Sequence, residues 1–162
     1  MPVERIATSL LDLLIEEHDD LRSLPGAPTD QGRLSGMIDP PHRTIWVDRA
    51  EAARSPRRRR FTIAHEVAHW RLHVREDAAL VFDRSEDIAE VGRPDDRTAR
   101  LARREAEANA FARELLMPEP LVREQAAETG CNLPALAERF EVSVPAMRLR
   151  LRLLGLLPVG MM

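Results

Sequence analysis

Apolar and polar residues follow periods along this chain that predict mostly helices and one short hairpin. Within residues 3–21, apolar side chains recur at helical spacing and are followed by acidic residues, so we predict an amphipathic N-terminal helix. Residues 23–35 are rich in Pro, Gly and Asp and are predicted to form a loop. Two β-rich runs, Gly36–Ile38 and Thr44–Val47, then flank the Pro-containing segment Asp39–Arg43, which predicts a β-hairpin.

Two longer helices are predicted in the middle of the chain. The arginine run Arg57–Arg60 is expected to be a solvated loop that leads into a helix from about Thr62 to Val74. The weak, acidic pattern of residues 75–96 predicts an irregular connection. A long helix should follow from about Arg97 to Leu116, because Pro118 cannot continue it.

Short helices are predicted after Leu121. Asn132 and Ser143 are suited to cap two of them, and the last should stop at Gly155. We therefore divide the chain into a main unit, residues 1–120, and a helical C-terminal unit, residues 121–162, with a soft boundary near Pro120.

The helix predicted from Thr62 contains the motif His-Glu-x-x-His at His65, Glu66 and His69. Residues four apart lie on one helix face, so the two imidazoles can bind one ion, and Glu66 can act as the base that activates a water molecule. The simpler alternative is a solvent-facing helix with two unremarkable histidines. The apolar neighbours of the motif argue against it, since histidines and a carboxylate buried without partners would be costly.

A catalytic zinc ion usually has three protein ligands, so a third is required. Glu105 is the best candidate, because it lies on a largely apolar face of the second long helix and needs a compensating cation. The alternative, an ion pair of Glu105 with Arg60 or Arg104, stays open at almost even odds. Asn109, one turn later, could orient a ligand histidine.

His73 is too far along the same helix from His65 to bind the same ion. We expect it to be a packing residue or to support a ligand from outside. The other common arrangement for a third histidine requires His at position 75, where this chain has Arg75.

Charge and cysteine content narrow the class of protein. The net charge of −3 gives no overall attraction to nucleic acid. Cys131 is the single cysteine, so no intrachain disulfide is possible. No apolar stretch approaches the length of a membrane span, and the N-terminus lacks the apolar core of a signal peptide, so a cytoplasmic location is expected.

Two sequence blocks resemble the ImmA/IrrE family of metallopeptidases. The first is Arg60–His69 with Leu72 and His73, and the second is Glu105–Pro118. Weaker similarity extends the resemblance from about Ser35 to Leu157. It implies His65, His69 and Glu105 as metal ligands and Glu66 as catalytic base. It also implies a zincin-like α+β fold, in which a small β-sheet packs on the metal-binding helices.

The resemblance further implies a zinc endopeptidase, although Mn²⁺ or Fe²⁺ could occupy such ligands. Family members typically cleave a helix-turn-helix repressor and so relieve repression of stress or mobile-element genes. Many carry an N-terminal DNA-binding domain, for which the residues before the hairpin leave no room, so a separately encoded repressor is the expected partner. An extended substrate is expected along an edge strand such as Thr44–Val47, with His42, His73 or an arginine as weak candidates for stabilising the oxyanion.

Three rival hypotheses remain. The C-terminal unit has a helix-turn-helix outline with basic residues Arg148, Arg150 and Arg152, which could bind DNA, although direct nucleic-acid binding is not favoured by the net charge. Alternatively, the metal could be structural in a sensor or binding module. The third hypothesis is a toxin or immunity component of a mobile element, which differs from a repressor-cleaving peptidase in biological role more than in chemistry.

Overall fold

The computed structural model describes residues 2–27, 34–74 and 94–157. Its helices are α1 (Val3–Arg5), α2 (Arg49–Arg54), α3 (Pro56–Leu72), α4 (Pro94–Leu116), α5 (Glu119–Thr129), α6 (Leu133–Arg139) and α7 (Val144–Leu153). Its strands are β1 (Leu14–His18), β2 (Gly36–Asp39) and β3 (Thr44–Asp48), and shorter helical turns cover Ile6–Leu10 and Leu21–Ser23. Helix α3 packs against both the sheet and α4. The fold is therefore of the mixed α+β class.

The predicted N-terminal helix is wrong in its second half. Helical hydrogen bonding ends at Leu11, and Asp12 has a positive φ of 53°, which turns the chain. Residues Leu14–His18 form β1, which pairs in parallel with β3 from Leu14↔Thr44 to His18↔Asp48. A short apolar run is compatible with helix or strand, and here pairing with a distant strand decides the outcome.

The sheet confirms the predicted hairpin but not the predicted edge strand. Its order is β1-β3-β2, so β3 is central and β2 is an edge among the described strands. The backbone N–H of Asp48 donates to the carbonyl of Ser35 at 3.0 Å. Along an antiparallel pair, hydrogen-bonded and non-hydrogen-bonded residue pairs alternate, so the next pair, Gly36 with Val47, is not hydrogen-bonded. The main-chain groups of Gly36 and Ile38 therefore point away from β3. The expectation that Thr44–Val47 lies at an edge is wrong, because β1 covers that side.

Helix α3 begins six residues before its predicted start. The Ser55 side chain accepts a hydrogen bond from the N–H of Arg58 at 3.3 Å, and Pro56 occupies the first helical position, where its missing N–H costs nothing. The run Arg57–Arg60 is thus helical and not a loop. Farther along the helix, a continuous buried face fixes α3 in the core through Ile63, Ala64, Val67 and Ala68.

Helix α4 faces α3 with small residues. Ala108 and Ala112 are fully buried, as is Leu116 at the end of the helix, so the two backbones can approach closely. The helix starts at Pro94, three residues before its predicted start. The rest of the predicted irregular connection, residues 75–93, lies outside the described residues.

The C-terminal helices have the predicted caps. The side chain of Asn132 accepts from the N–H of Ala135 at 3.1 Å, and that of Ser143 accepts from the N–H of Ala146 at 3.2 Å. After α7, Gly155 has a positive φ of 69°. The unit boundary near Pro120 stays a prediction, although Pro118 does separate α4 from α5.

In the part of the chain that the structure describes, no helix combines the length and the apolar character that crossing a bilayer would require.

Arg150 of α7 ties the C-terminal helices to the end of α4. Its Nε–H donates to the carbonyl of Met117 at 2.9 Å, its guanidinium pairs with Glu114, and only 7% of the residue is exposed. We expect Arg150→Met to lower the free energy of unfolding by about 1.5–3 kcal/mol, the usual contribution of hydrogen bonds to a charged group. Urea unfolding measures this. Arg148→Met, on the same helix, is the control and should change stability by less than about 0.5 kcal/mol; equal losses in both variants would contradict the prediction.

Gly36 lies where β2 crosses α3. A Cβ atom at this position would collide with Cγ2 of Thr62 and approach Oε1 of Glu66 to 3.2 Å. Gly36→Ala should therefore lower the free energy of unfolding by about 1–3 kcal/mol. Thr62→Ser removes the colliding methyl group, so in a double-mutant cycle the alanine should cost much less in the serine background. If the losses in unfolding free energy of Gly36→Ala and Thr62→Ser simply add, the collision with the Thr62 methyl group is not the cause of the destabilisation.

Candidate metal centre

The candidate metal centre joins two helices. His65 and His69 lie one turn apart on α3, and Glu105 reaches them from the facing side of α4. One Glu105 carboxylate oxygen lies 3.2 Å from Nε2 of His65, and the other lies 3.2 Å from Nε2 of His69. The two Nε2 atoms are 3.0 Å apart. The ligand atoms of these three residues all lie within 4.8 Å of one another.

The composition of this cluster fits a metal ion. Burial lowers the pKa of His65, although the Glu105 carboxylate and the Asn109 side chain oppose that shift, so the imidazole tends to be neutral. A neutral imidazole offers a lone pair on one nitrogen, and the carboxylate offers several more. Two imidazole nitrogens and a carboxylate that meet at one point are the donor set of a catalytic zinc site. The three residues can therefore hold a divalent cation.

One of the two alternative partners for Glu105, Arg60, is engaged elsewhere. Arg60 donates to the carbonyl of Glu141 at 3.0 Å, and its guanidinium lies 2.7 Å from the Glu141 carboxylate. The carboxylate of Glu105 is directed instead at His65 and His69. Of the two explanations that the sequence left open, the geometry favours a shared cation over a pair with Arg60.

Glu66 is buried beside the cluster. Only 6% of the residue is exposed, and burial, together with the nearby charge of Glu105, raises its pKa to about 8. The backbone N–H of Ile38 in β2 partly offsets this by hydrogen bonding to the carboxylate. Glu66 therefore has one fixed main-chain partner and still lines the cavity next to His65. A carboxyl group so held can accept and return a proton near neutral pH.

Asn109 lies near His65, as the sequence predicts. Its side chain contributes to the pKa of His65, and both residues line the same cavity. Nδ1 of His65, however, is buried and makes no hydrogen bond of ordinary geometry with a described residue. The predicted role of Asn109 in orienting a ligand thus stays a prediction.

His73 stands outside the cluster. It follows the last residue of α3, and its Nε2 lies 3.2 Å from the carbonyl oxygen of Arg104, the residue before Glu105. The ring centroids of His69 and His73 are 5.3 Å apart. His73 therefore ties the end of α3 to the stretch of α4 that carries Glu105, and its predicted supporting role stays a prediction.

A cavity of about 1060 Å³ opens beside the cluster. His65, Glu66 and Glu105 line one end of it. The remaining walls come from the start of β2, the first two turns of α3 and the start of α7, through residues that include Ser35, Gly36, Arg57, Arg58, Phe61, Val144, Pro145 and Ala146.

Sequence reasoning did not identify these walls. The first turn of α7 lies far from the metal motif in the sequence, and no local pattern predicts the contact of Arg60 with Glu141 that brings the two together. Among the suggested oxyanion partners, His42 and His73 do not line the cavity, and His42 instead contacts Asp39 at 2.9 Å. Two arginines, Arg57 and Arg58, do line it.

Comparisons with known proteins match this chain to a family of peptidases. Residues 21–152 match the model of peptidase family M78, described as the IrrE N-terminal-like domain. The radiation response metalloprotease IrrE of Deinococcus radiodurans is 35% identical over 127 residues, which cover 76% of this chain and 34% of that protein. The chain therefore spans about a third of the length of this curated relative.

A solved structure of a Mycobacterium tuberculosis transcriptional regulator is similar in fold. Its TM-score is 0.60 at 18% identity, and the match covers 92% of this chain and 39% of that one. At this identity the likeness concerns the fold alone. The family model, by contrast, extends over most of the chain and includes both helices that carry His65, His69 and Glu105. The chain belongs to peptidase family M78, the ImmA/IrrE family that its two sequence blocks resemble.

Proposed function

We propose that this protein is a zinc-dependent endopeptidase. The observation that carries the proposal is the meeting of His65, His69 and Glu105 beside a buried carboxyl group, Glu66, at one end of a large cavity. Three protein ligands leave a coordination position open, as catalytic zinc sites do. Membership of a peptidase family supports the same chemistry.

The residues of this chain have separate tasks in the proposed reaction. His65, His69 and Glu105 would hold the ion, and a bound zinc ion supplies Lewis-acid chemistry that acidifies water and polarises the scissile carbonyl. Glu66 accepts the proton of the attacking water and later delivers it to the leaving amine. Its hydrogen bond from the N–H of Ile38 fixes the carboxyl group for both transfers.

The substrate is proposed to run in an extended form beside β2. Among the described strands, β2 and not β3 is the sheet edge that packs on the helix carrying the cluster, and Ser35 and Gly36 at its start line the cavity. Main-chain hydrogen bonds to an edge strand orient a peptide without demanding a particular sequence. Gly36 suits this position because a side chain there would push β2 away from Glu66.

The biological substrate in this proposal is a separately encoded helix-turn-helix repressor, whose cleavage relieves repression of stress or mobile-element genes. This part rests on the family to which the chain belongs. A cytoplasmic location and zinc as the physiological metal, with Mn²⁺ or Fe²⁺ as substitutes, complete the proposal. A direct test is incubation of the protein with the small repressor encoded by a neighbouring gene.

The contacts of α7 give less support to the alternative of a DNA-binding regulator. Arg150 is buried against Met117 and Glu114, so it cannot reach a phosphate. The first turn of α7, which reads bases in a helix-turn-helix protein, instead lines the cavity at Val144 and Pro145. A purely structural metal fits poorly as well, since the side chain of Glu105 is 58% exposed and borders the cavity.

The three proposed ligands should determine zinc affinity. We expect His65→Ala, His69→Ala and Glu105→Gln each to weaken Zn²⁺ binding by more than about 100-fold, beyond the loss typical of a supporting residue. Competition with a chromophoric chelator measures the affinity. Glu107→Gln removes the same charge from the same helix and is the matched control, with little expected change. Unaltered affinity in Glu105→Gln would remove the third ligand from the proposal.

Glu66→Gln should separate metal binding from catalysis. The amide keeps the size of the side chain but cannot accept the proton, so peptide cleavage should fall by about 10²–10⁴-fold or more while Zn²⁺ affinity stays within a few-fold of the original. Cleavage of a random peptide library, read by mass spectrometry, gives the rate, and circular dichroism checks the fold. A variant that retains cleavage would exclude Glu66 as the base.

A further inference from the structure

The first turns of α3 carry a row of side chains on one helix face, and this row extends from the metal cluster toward the start of the helix. Arg57, Phe61 and His65 are spaced four residues apart, so they share one helix face, and all three line the cavity. The rings of Phe61 and His65 are 6.3 Å apart between centroids. Starting from the metal cluster, the floor of the cavity therefore presents first an aromatic ring and then a guanidinium group.

The two arginines at the far end of the cavity differ in their partners. Arg58 forms an ion pair with Glu51 at 3.0 Å and donates to Oγ of Ser35 at 3.3 Å. Arg57 is exposed and makes no ion pair or hydrogen bond with any residue in the described part of the chain. Among the residues that the structure describes, Arg57 thus carries the uncompensated positive charge at this end of the cavity.

The wall formed by the segment that leads into α7 is mostly apolar. It consists of Val142, Ser143, Val144, Pro145 and Ala146, of which Ser143 alone is polar. Arg60 holds this turn in position, because it donates to the carbonyl of Glu141 and pairs with the Glu141 carboxylate. The apolar region between Phe61 and α7 therefore has fixed sides and suits an apolar side chain of a bound peptide.

Helix geometry gives the spacing of these positions. Arg57 lies eight residues before His65, or about 12 Å along the helix axis at about 1.5 Å per residue. Phe61 lies half as far away. An extended peptide rises about 3.3 Å per residue, so these positions correspond to about two residues and about three to four residues from the bond that is cut.

We propose that the cavity selects peptides with an apolar side chain about two residues from the scissile bond and an acidic side chain about three to four residues from it. Phe61 and the first turn of α7 bind the apolar group, and Arg57 pairs with the acidic group. This inference rests on the proposed peptidase function and adds a substrate class to it. Arg57 is a specificity residue that contacts substrate and takes no part in the proton transfers.

The test is a charge reversal at Arg57 with a matched control. The Zn²⁺-loaded protein is incubated with a random dodecapeptide library, and mass spectrometry of the products gives preferences at each position relative to the cut. The original protein should favour Asp and Glu at one position by about threefold to fivefold, the effect of a solvent-exposed ion pair. Arg57→Glu should reverse this preference to Lys and Arg. Arg54→Glu, an exposed arginine of α2 that does not line the cavity, should leave it unchanged.

A binding measurement separates this inference from the peptidase function. Two fluorescein-labelled decapeptides of the same alanine- and leucine-based sequence, one with Asp and one with Arg at the charged position, are titrated with the Glu66→Gln protein and with its Arg57→Glu derivative. Anisotropy should show the Asp peptide binding more tightly to the first protein and the Arg peptide more tightly to the second.

The outcomes are distinct. If the Asp peptide binds more tightly but the original protein cleaves no peptide, the subsite is supported and the proposed peptidase function is wrong. If the original protein and Arg57→Glu cleave with the same preference for charged residues, the proposed subsite is wrong and the peptidase function stands. A profile that Arg54→Glu alters as much as Arg57→Glu would also overturn the subsite, as would failure of both peptides to bind.

Discussion

The close approach of α3 and α4 is the constraint on which the rest of this structure depends. The buried alanines Ala108 and Ala112 allow the helices to lie near each other, and only then can Glu105 reach the two histidines one turn apart on α3. The same arrangement gathers two imidazole nitrogens and a carboxylate at one point, and this is the donor set that a divalent cation binds. Helix packing thus determines the geometry of the three side chains that could bind a metal ion.

How far the sequence predicts this molecule depends on the range of the interactions involved. The hairpin, the cap at Ser143 and the shared helix face of His65 and His69 follow from local patterns and helix periodicity, and the structure has the same geometry. Glu105 stood at almost even odds on the residues alone, and the family resemblance implied it as the third ligand. The early start of α3 also has a local signal, Ser55 before Pro56, which apolar spacing alone does not reveal.

The features that the sequence did not predict are decided by distant contacts. Strand β1 exists because β3 offers a parallel edge, and its own short apolar run is equally compatible with a helix. In the same way, the contact of Arg60 with Glu141 brings α7 to the cavity across about half the chain, and neither residue signals it alone. Periodicity identifies which face of a helix is buried, but it does not identify the partner of that face.

The residues proposed for the reaction and the residues that line the rest of the cavity lie on different parts of the fold. The proposed ligands and base lie on α3 and α4, which one buried face and two alanines hold together, whereas the cavity walls come from β2, the start of α3 and the start of α7. The walls at Arg57 and Val144 can therefore change without disturbing the packing that positions Glu105. Arg60 and Arg150 cannot change so freely, because each anchors the C-terminal helices on which one wall is built. In the proposed peptidase, variation at Arg57 would therefore change the preference for charged substrates and leave the reaction unchanged.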